Sequence, residues 1–161
     1  MKILIASITD SGIVRARTEI IQRLIEAGHR VTVAAPESAD ADKLKALTCG
    51  FIPVSIDQHG KSILKDYKLY RQYRKILLAE KPDAVLTYTI KPNVYCGYAA
   101  SRLKIPYMCN ITGLGRALQT PGLTQKLATI LYKISLKRAA AVFFQNEGNM
   151  KYFADRGIAS K

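Results

Sequence analysis

Three short stretches combine polar side chains with glycine or proline in patterns suited to holding an anion or a sugar. The first is Asn110-Ile111-Thr112-Gly113-Leu114-Gly115, followed by Arg116. Glycines directly after an apolar run mark a tight turn where backbone can approach a ligand closely. Two readings stand. Asn110, Thr112, Gly113, Gly115 and Arg116 border a substrate cleft, or the connection simply needs positive φ at Gly113 and Gly115. The second stretch is Thr89-Ile90-Lys91-Pro92-Asn93. Lys91 suits a phosphate and Asn93 a hydroxyl; the plainer reading is a solvated lysine and a helix cap. The third is Ser7-Ile8-Thr9-Asp10-Ser11-Gly12. Asp10 or Ser11 can cap a following helix, and a helix amino end at Ser11 and Gly12 can face an anion. It is neither a G-x-G-x-x-G fingerprint nor a P-loop, which argues against NAD and against a P-loop nucleotide site.

Other chemistry is sparse. Cys49, Cys96 and Cys109 lie in apolar surroundings without metal-ligand spacing, so they read as buried free thiols in a reducing compartment. His29 and His59 each flank a glycine and read as turn residues. Neither a metal nor a cofactor is expected.

The elements that must position these stretches follow from periodicity. Lys2–Ser7 is an apolar run that reads as a central parallel strand and the start of a cytoplasmic protein. A helix over 13–27 carries Ile13, Ile20, Ile21, Leu24 and Ile25 on one face and ends at Gly28. Strands are expected at 29–35, 51–56, 84–88, 106–111 and 141–145, with helices at 39–47, 62–79, 93–103, 123–139 and 149–155. In the 62–79 helix, Ile63, Tyr67, Tyr70, Tyr73 and Leu77 share one side; Lys65, Lys68, Arg71 and Lys75, with Lys61 just before, fall on another. Strands alternating with helices give an α/β, doubly wound, Rossmann-like parallel sheet of about six strands. The right-handed crossover rule then predicts the order 3-2-1-4-5-6. Its direction reverses between strands one and four, so residues 9–12 and 88–92 line the crevice where ligands sit.

The chain has 161 residues, enough for one domain with its own core. Twenty-five basic against 12 acidic side chains give a net charge of +13, which implies an anionic partner. A second basic helix adds Lys126, Lys133, Lys137 and Arg138 to the first. Two such helices suit an anionic membrane surface. Single-stranded nucleic acid is set aside, because no helix-turn-helix, RNA-recognition or OB signature accompanies the charge.

Taken in order, Tyr88-Thr89-Ile90-Lys91-Pro92-Asn93, the small-residue helix, Ile105-Pro106-Tyr107, Asn110 to Gly115, Leu131-Tyr132-Lys133 and Val142-Phe143-Phe144-Gln145-Asn146 form a recognisable series. It resembles the amino-terminal domain of bacterial family 4 glycosyltransferases, nearest to those of capsular polysaccharide, exopolysaccharide and lipid-linked oligosaccharide synthesis. The resemblance implies half of a GT-B fold. In such enzymes two Rossmann-like domains face a cleft and move a sugar from a nucleotide sugar to an acceptor, with retention. It implies that residues 1–161 are the acceptor-side domain, serving an acceptor often linked to polyprenyl diphosphate at the inner membrane face. The donor-binding carboxy-terminal domain, with its paired glutamates, is then missing. The chain is a shortened form of a longer protein or one half of a split enzyme, inactive alone; as a split half it could serve mainly as a basic membrane or partner-recruiting module. Gly12, with Asp10 and Ser11, corresponds to the family's approach to the donor phosphates. Many members carry a histidine just after strand five; here Asn110-Ile111-Thr112 stand, so no catalytic residue carries over.

Overall fold

The computed structural model describes residues 1–47, 49–58, 60 and 62–159. His59 and Lys61 lie outside the described residues. Six strands, β1 (Lys2–Ala6), β2 (Arg30–Ala35), β3 (Gly50–Pro53), β4 (Ala84–Tyr88), β5 (Tyr107–Ile111) and β6 (Ala141–Phe144), form one sheet in the order β3-β2-β1-β4-β5-β6. Every pairing is parallel. The expected fold and strand order are both observed. Ala6 is level with Thr87, Tyr88 with Asn110 and Ile111 with Phe144, so the loops leaving these strands share the carboxyl edge.

Strand alternation builds a core on each face. Ile3, Ile5, Val31 and Val33 meet α1 (Asp10–Glu26) and α2 (Ala41–Ala46) through Ile13, Ile21 and Leu44 on one face. Leu4, Val85, Tyr107, Cys109 and Ile111 face the other. There they meet α3 (Ile63–Glu80), α4 (Gly97–Leu103), α5 (Gly115–Gln119), α6 (Leu123–Leu136) and α7 (Glu147–Asp155). Fully burying one such side chain stabilises the fold by about 1.5–3 kcal/mol. Tyr132 of α6 and Phe144 of β6 each meet Phe153 of α7 edge-on, with centroids 5.1 and 5.3 Å apart. That geometry suits the ring quadrupoles and fastens the carboxy-terminal helices to the sheet.

Four local expectations need correction. Helix α1 starts at Asp10, three residues earlier than periodicity indicates, because Thr9 is its cap; Thr9 Oγ1 accepts from Gly12 N–H at 3.1 Å. Asp10 and Ser11 are therefore first-turn residues. After β4 only Thr89 separates strand from helix, and Pro92–Cys96 is a π-helical turn leading into α4. The short helix α5 occupies residues read as loop. In α3 the buried side is Leu69, Tyr73, Ile76 and Leu77, while Ile63 is 80% and Tyr67 57% exposed. A helix so rich in aromatic and aliphatic residues offers more than one apolar stripe, and packing on the sheet selects among them.

Candidate functional site

The carboxyl edge is assembled from the ends of β1, β4 and β5. At β1, Asp10 is buried, and its carboxylate accepts from Ser11 N–H (2.7 Å), Ser38 N–H (2.7 Å) and Ser38 Oγ–H (2.8 Å). Asp10 thus ties the start of α1 to the loop after β2. A carboxylate at a helix amino end also satisfies the local dipole. The two expected anion-binding amides, Ser11 N–H and Gly12 N–H, are already bonded inside the chain. Gly12 is explained by the cap itself, since a Cβ there would come within 2.7 Å of Thr9 Oγ1. The first loop is accordingly a self-satisfied turn that carries its own anion.

At β4 the plainer reading of Lys91 and Asn93 is replaced. Lys91 is not solvated: its ammonium lies 2.8 Å from Asp66 and donates to Gly60 O at 3.0 Å, with 12% of the side chain exposed. Asn93 is fully buried and does not cap a helix. Its amide oxygen accepts from Thr87 Oγ1 at 2.7 Å and its amide nitrogen donates to Asn110 O at 2.9 Å. Both ends of Asn93 are spent in bridging β4 to the end of β5, so Asn93 positions the Asn110 loop from beneath.

Two features at this edge escaped sequence reasoning. Thr89 has φ +71°, a left-handed conformation that is a genuine outlier for a β-branched residue. It stands directly before the helix that holds the π-helical turn, and both irregularities concentrate at functional sites. The pattern held no signal for the strain; Pro92, one turn into the helix, hints only at an irregular start. The second is Arg17 of α1, whose guanidinium lies 4.9 Å from the centroid of the Tyr88 ring. Burial pushes the Tyr88 phenol above its ordinary range, and Arg17 partly opposes the shift. The pair sets a half-buried cation in the β1–β4 crevice.

At β5, Asn110, Thr112, Gly113 and Leu114 are half-buried, while Gly115 and Arg116 are exposed. Gly113 has φ +154° and Gly115 φ +62°, and a Cβ on either would meet nothing within 4 Å. The two glycines serve backbone conformation rather than tight packing. Gln145 N–H donates to Ile111 O at 3.4 Å and helps anchor the loop. The basic residues of α3, Lys65, Lys68, Arg71 and Lys75, are all exposed, with Lys65 paired to Asp57 at 2.7 Å. Among the described residues, no group of three histidine, cysteine, aspartate or glutamate side chains could hold a metal ion. All three cysteines are free and buried.

Residues 11–161 match the model of the family described as glycosyl transferase 4-like domain. The chain belongs to that family. No curated protein sequence matches it. Among solved structures, a glycosyltransferase from Rickettsia africae aligns at 15% identity and a TM-score of 0.68 over 96% of this domain and 39% of that chain. Acinetobacter baumannii MurG aligns at 17% identity and 0.61 over 89% and 40%. The UDP-GlcNAc 2-epimerase of Methanocaldococcus jannaschii, in complex with UDP-GlcNAc and UDP, aligns at 20% and 0.68 over 99% and 44%. The glycosyl transferase 4-like domain thus spans about two fifths of each of these chains. At such identities the likeness establishes the fold, and the fold alone hosts both transferases and epimerases.

Proposed function

We propose that this domain is the acceptor-side half of a GT-B glycosyltransferase that moves a sugar, with retention, from a nucleotide sugar to a saccharide acceptor on polyprenyl diphosphate in surface polysaccharide synthesis. The observation that carries this reading is the family match across residues 11–161. A structural neighbour bound to UDP-GlcNAc and UDP supports a nucleotide sugar as donor. The amino end of α1 is already neutralised by Asp10, which leaves little positive potential for a second anion there. The donor diphosphate is therefore held chiefly by a second half, and this half offers the acceptor Thr112, Gly113, Gly115 and Arg116, with Arg17 in the adjoining crevice. Leaving-group stabilisation needs donors aimed at the developing charge in a water-excluded cleft, and one open edge supplies neither in full. The basic faces of α3 and α6 hold the protein at the anionic inner face of the cell membrane. Among the described residues no helix is long and apolar enough to cross a membrane.

The test is transfer from labelled nucleotide sugars, by the domain alone and by a longer protein containing it. The domain alone should turn over none. In the longer protein Gly113→Val, which forces a β-branched residue into a glycine conformation, should abolish transfer while vesicle binding and circular dichroism stay unchanged. Turnover by the isolated domain, or normal turnover by the variant, would sink the corresponding part of the reading.

A further inference from the structure

Helix α6 is apolar on two sides. Its inner side, Ala128, Tyr132, Ser135 and Leu136, is buried against the sheet and its neighbouring helices. Its outer side carries Leu123, Leu127, Ile130 and Ile134, which are 84%, 51%, 53% and 51% exposed. Spacings of four, three and four residues set them in one row, about 16 Å long at 1.5 Å per residue. Lys126, Lys133 and Lys137 each stand three residues after a member of that row, so they form a rail along one flank of it. None of the three joins an ion pair among the described residues. The charge context is one-sided. Residues 84–146 hold eight basic side chains and no acidic one.

We propose that α6 lies in the interface plane of an anionic bilayer, with Leu123, Leu127, Ile130 and Ile134 among the acyl chains and the lysine rail at the headgroups. The inference rests on the peripheral placement proposed above and names the element that inserts. An apolar row beside unpaired lysines is the signature of a helix that binds a charged membrane surface. Charge selects this occupant over a second copy, because two α6 faces packed together would set their one-sided positive fields against each other. Helix α3 plays a different part. Its exposed apolar residues, Ile63, Leu64 and Tyr67 in the first two turns and Leu78 in the last, are separated by exposed Arg71, Arg74 and Lys75 and form no continuous row, so it supplies attraction without insertion. Both helices pack on the same face of the sheet.

The experiment is co-sedimentation of the chain with phosphatidylcholine vesicles, with and without phosphatidylglycerol. The chain should bind only the anionic vesicles. Leu127→Gln/Ile130→Gln, confined to the outer face, should keep the circular dichroism spectrum and weaken binding about tenfold or more. Lys68→Gln/Arg71→Gln should weaken binding less, by a factor that shrinks as salt is raised. An environment-sensitive fluorophore on Ile130→Cys should shift to the blue on anionic vesicles, and the same label on Lys68→Cys should not. Failure of the unaltered chain to bind either vesicle overturns the peripheral placement and this inference with it. Binding that survives the α6 variant unchanged overturns insertion through α6 alone. A concentration-dependent dimer abolished by Ile130→Gln, seen by analytical ultracentrifugation, assigns the face to a second copy and overturns it too.

Discussion

Single side chains at the carboxyl edge are mostly consumed by the fold. Asn93 joins Thr87 to the carbonyl of Asn110 and has no exposed surface. Asn93→Ala leaves the Asn110 carbonyl without this donor and the Thr87 hydroxyl with only its longer contacts to Met108 O and Cys109 Sγ, both at 3.3 Å, and should cost about 1–3 kcal/mol, read by urea denaturation. A loss below about 0.5 kcal/mol would show that the bridge is replaceable. The polar residues singled out from the sequence divide by this criterion. Asp10, Lys91 and Asn93 have the right types for ligand binding, yet their bonding capacity is met within the chain. Their partners lie 28, 25 and 17 residues away, and no local pattern announces them. Arg17 and Thr89 show the reverse. Neither stands out by type, and each is marked only by its three-dimensional setting, an aromatic ring in one case and a positive φ in the other.

At the scale of elements, the link between α3 and the start of the post-β4 helix is the Lys91–Asp66 pair, with side chains 12% and 21% exposed. Removing one partner of a shielded pair strands the other. Lys91→Met should therefore cost about 1–3 kcal/mol, below the figure for a fully buried pair. The double variant Lys91→Met/Asp66→Asn should lose less than the sum of the two single variants. Strict additivity in that cycle would place Lys91 outside the fold's own network. Boundaries of elements were legible to within a few residues, and the misses have identifiable causes. Thr9 rather than Asp10 caps α1 because the Thr9 hydroxyl reaches the Gly12 amide, while the Asp10 carboxylate is drawn to Ser38. The early helix start at Ile90 and the π-helical turn over Pro92 needed the strained Thr89 to turn the chain within one residue.

For the whole molecule, the interior holds several acidic hydrogens that burial keeps in place. The Cys109 thiol, ordinarily at 9.0, is pushed up to about 12 by burial. Burial also raises the Cys96 thiol and the Tyr73, Tyr95 and Tyr132 phenols. Below about pH 9 folded and unfolded chains both keep these protons, so stability is unaffected by them. Above it the unfolded chain releases protons that the folded chain retains, and stability falls as pH rises. The urea midpoint should be level from about pH 7 to 8.5 and decline steadily beyond about 9. A midpoint that held to about pH 10.5 would contradict the burial of these groups.

By itself the sequence determined what depends on short-range periodicity and chain chirality. Alternating strands and helices were written in the apolar runs. The right-handed crossover converts that alternation into one strand order, and the order locates the crevice at the β1–β4 boundary. Gly113 and Gly115 announced positive φ because no other residue adopts it cheaply. Tertiary structure alone decided which polar groups remain available and which apolar faces remain bare. Asp10 met Ser38 and Lys91 met Asp66 only after the chain had folded back on itself. In the same way, α6 buried one of its two apolar sides and left Leu123, Leu127, Ile130 and Ile134 in solvent. Helical spacing cannot choose between two apolar stripes; the sheet, which packs only one of them, does.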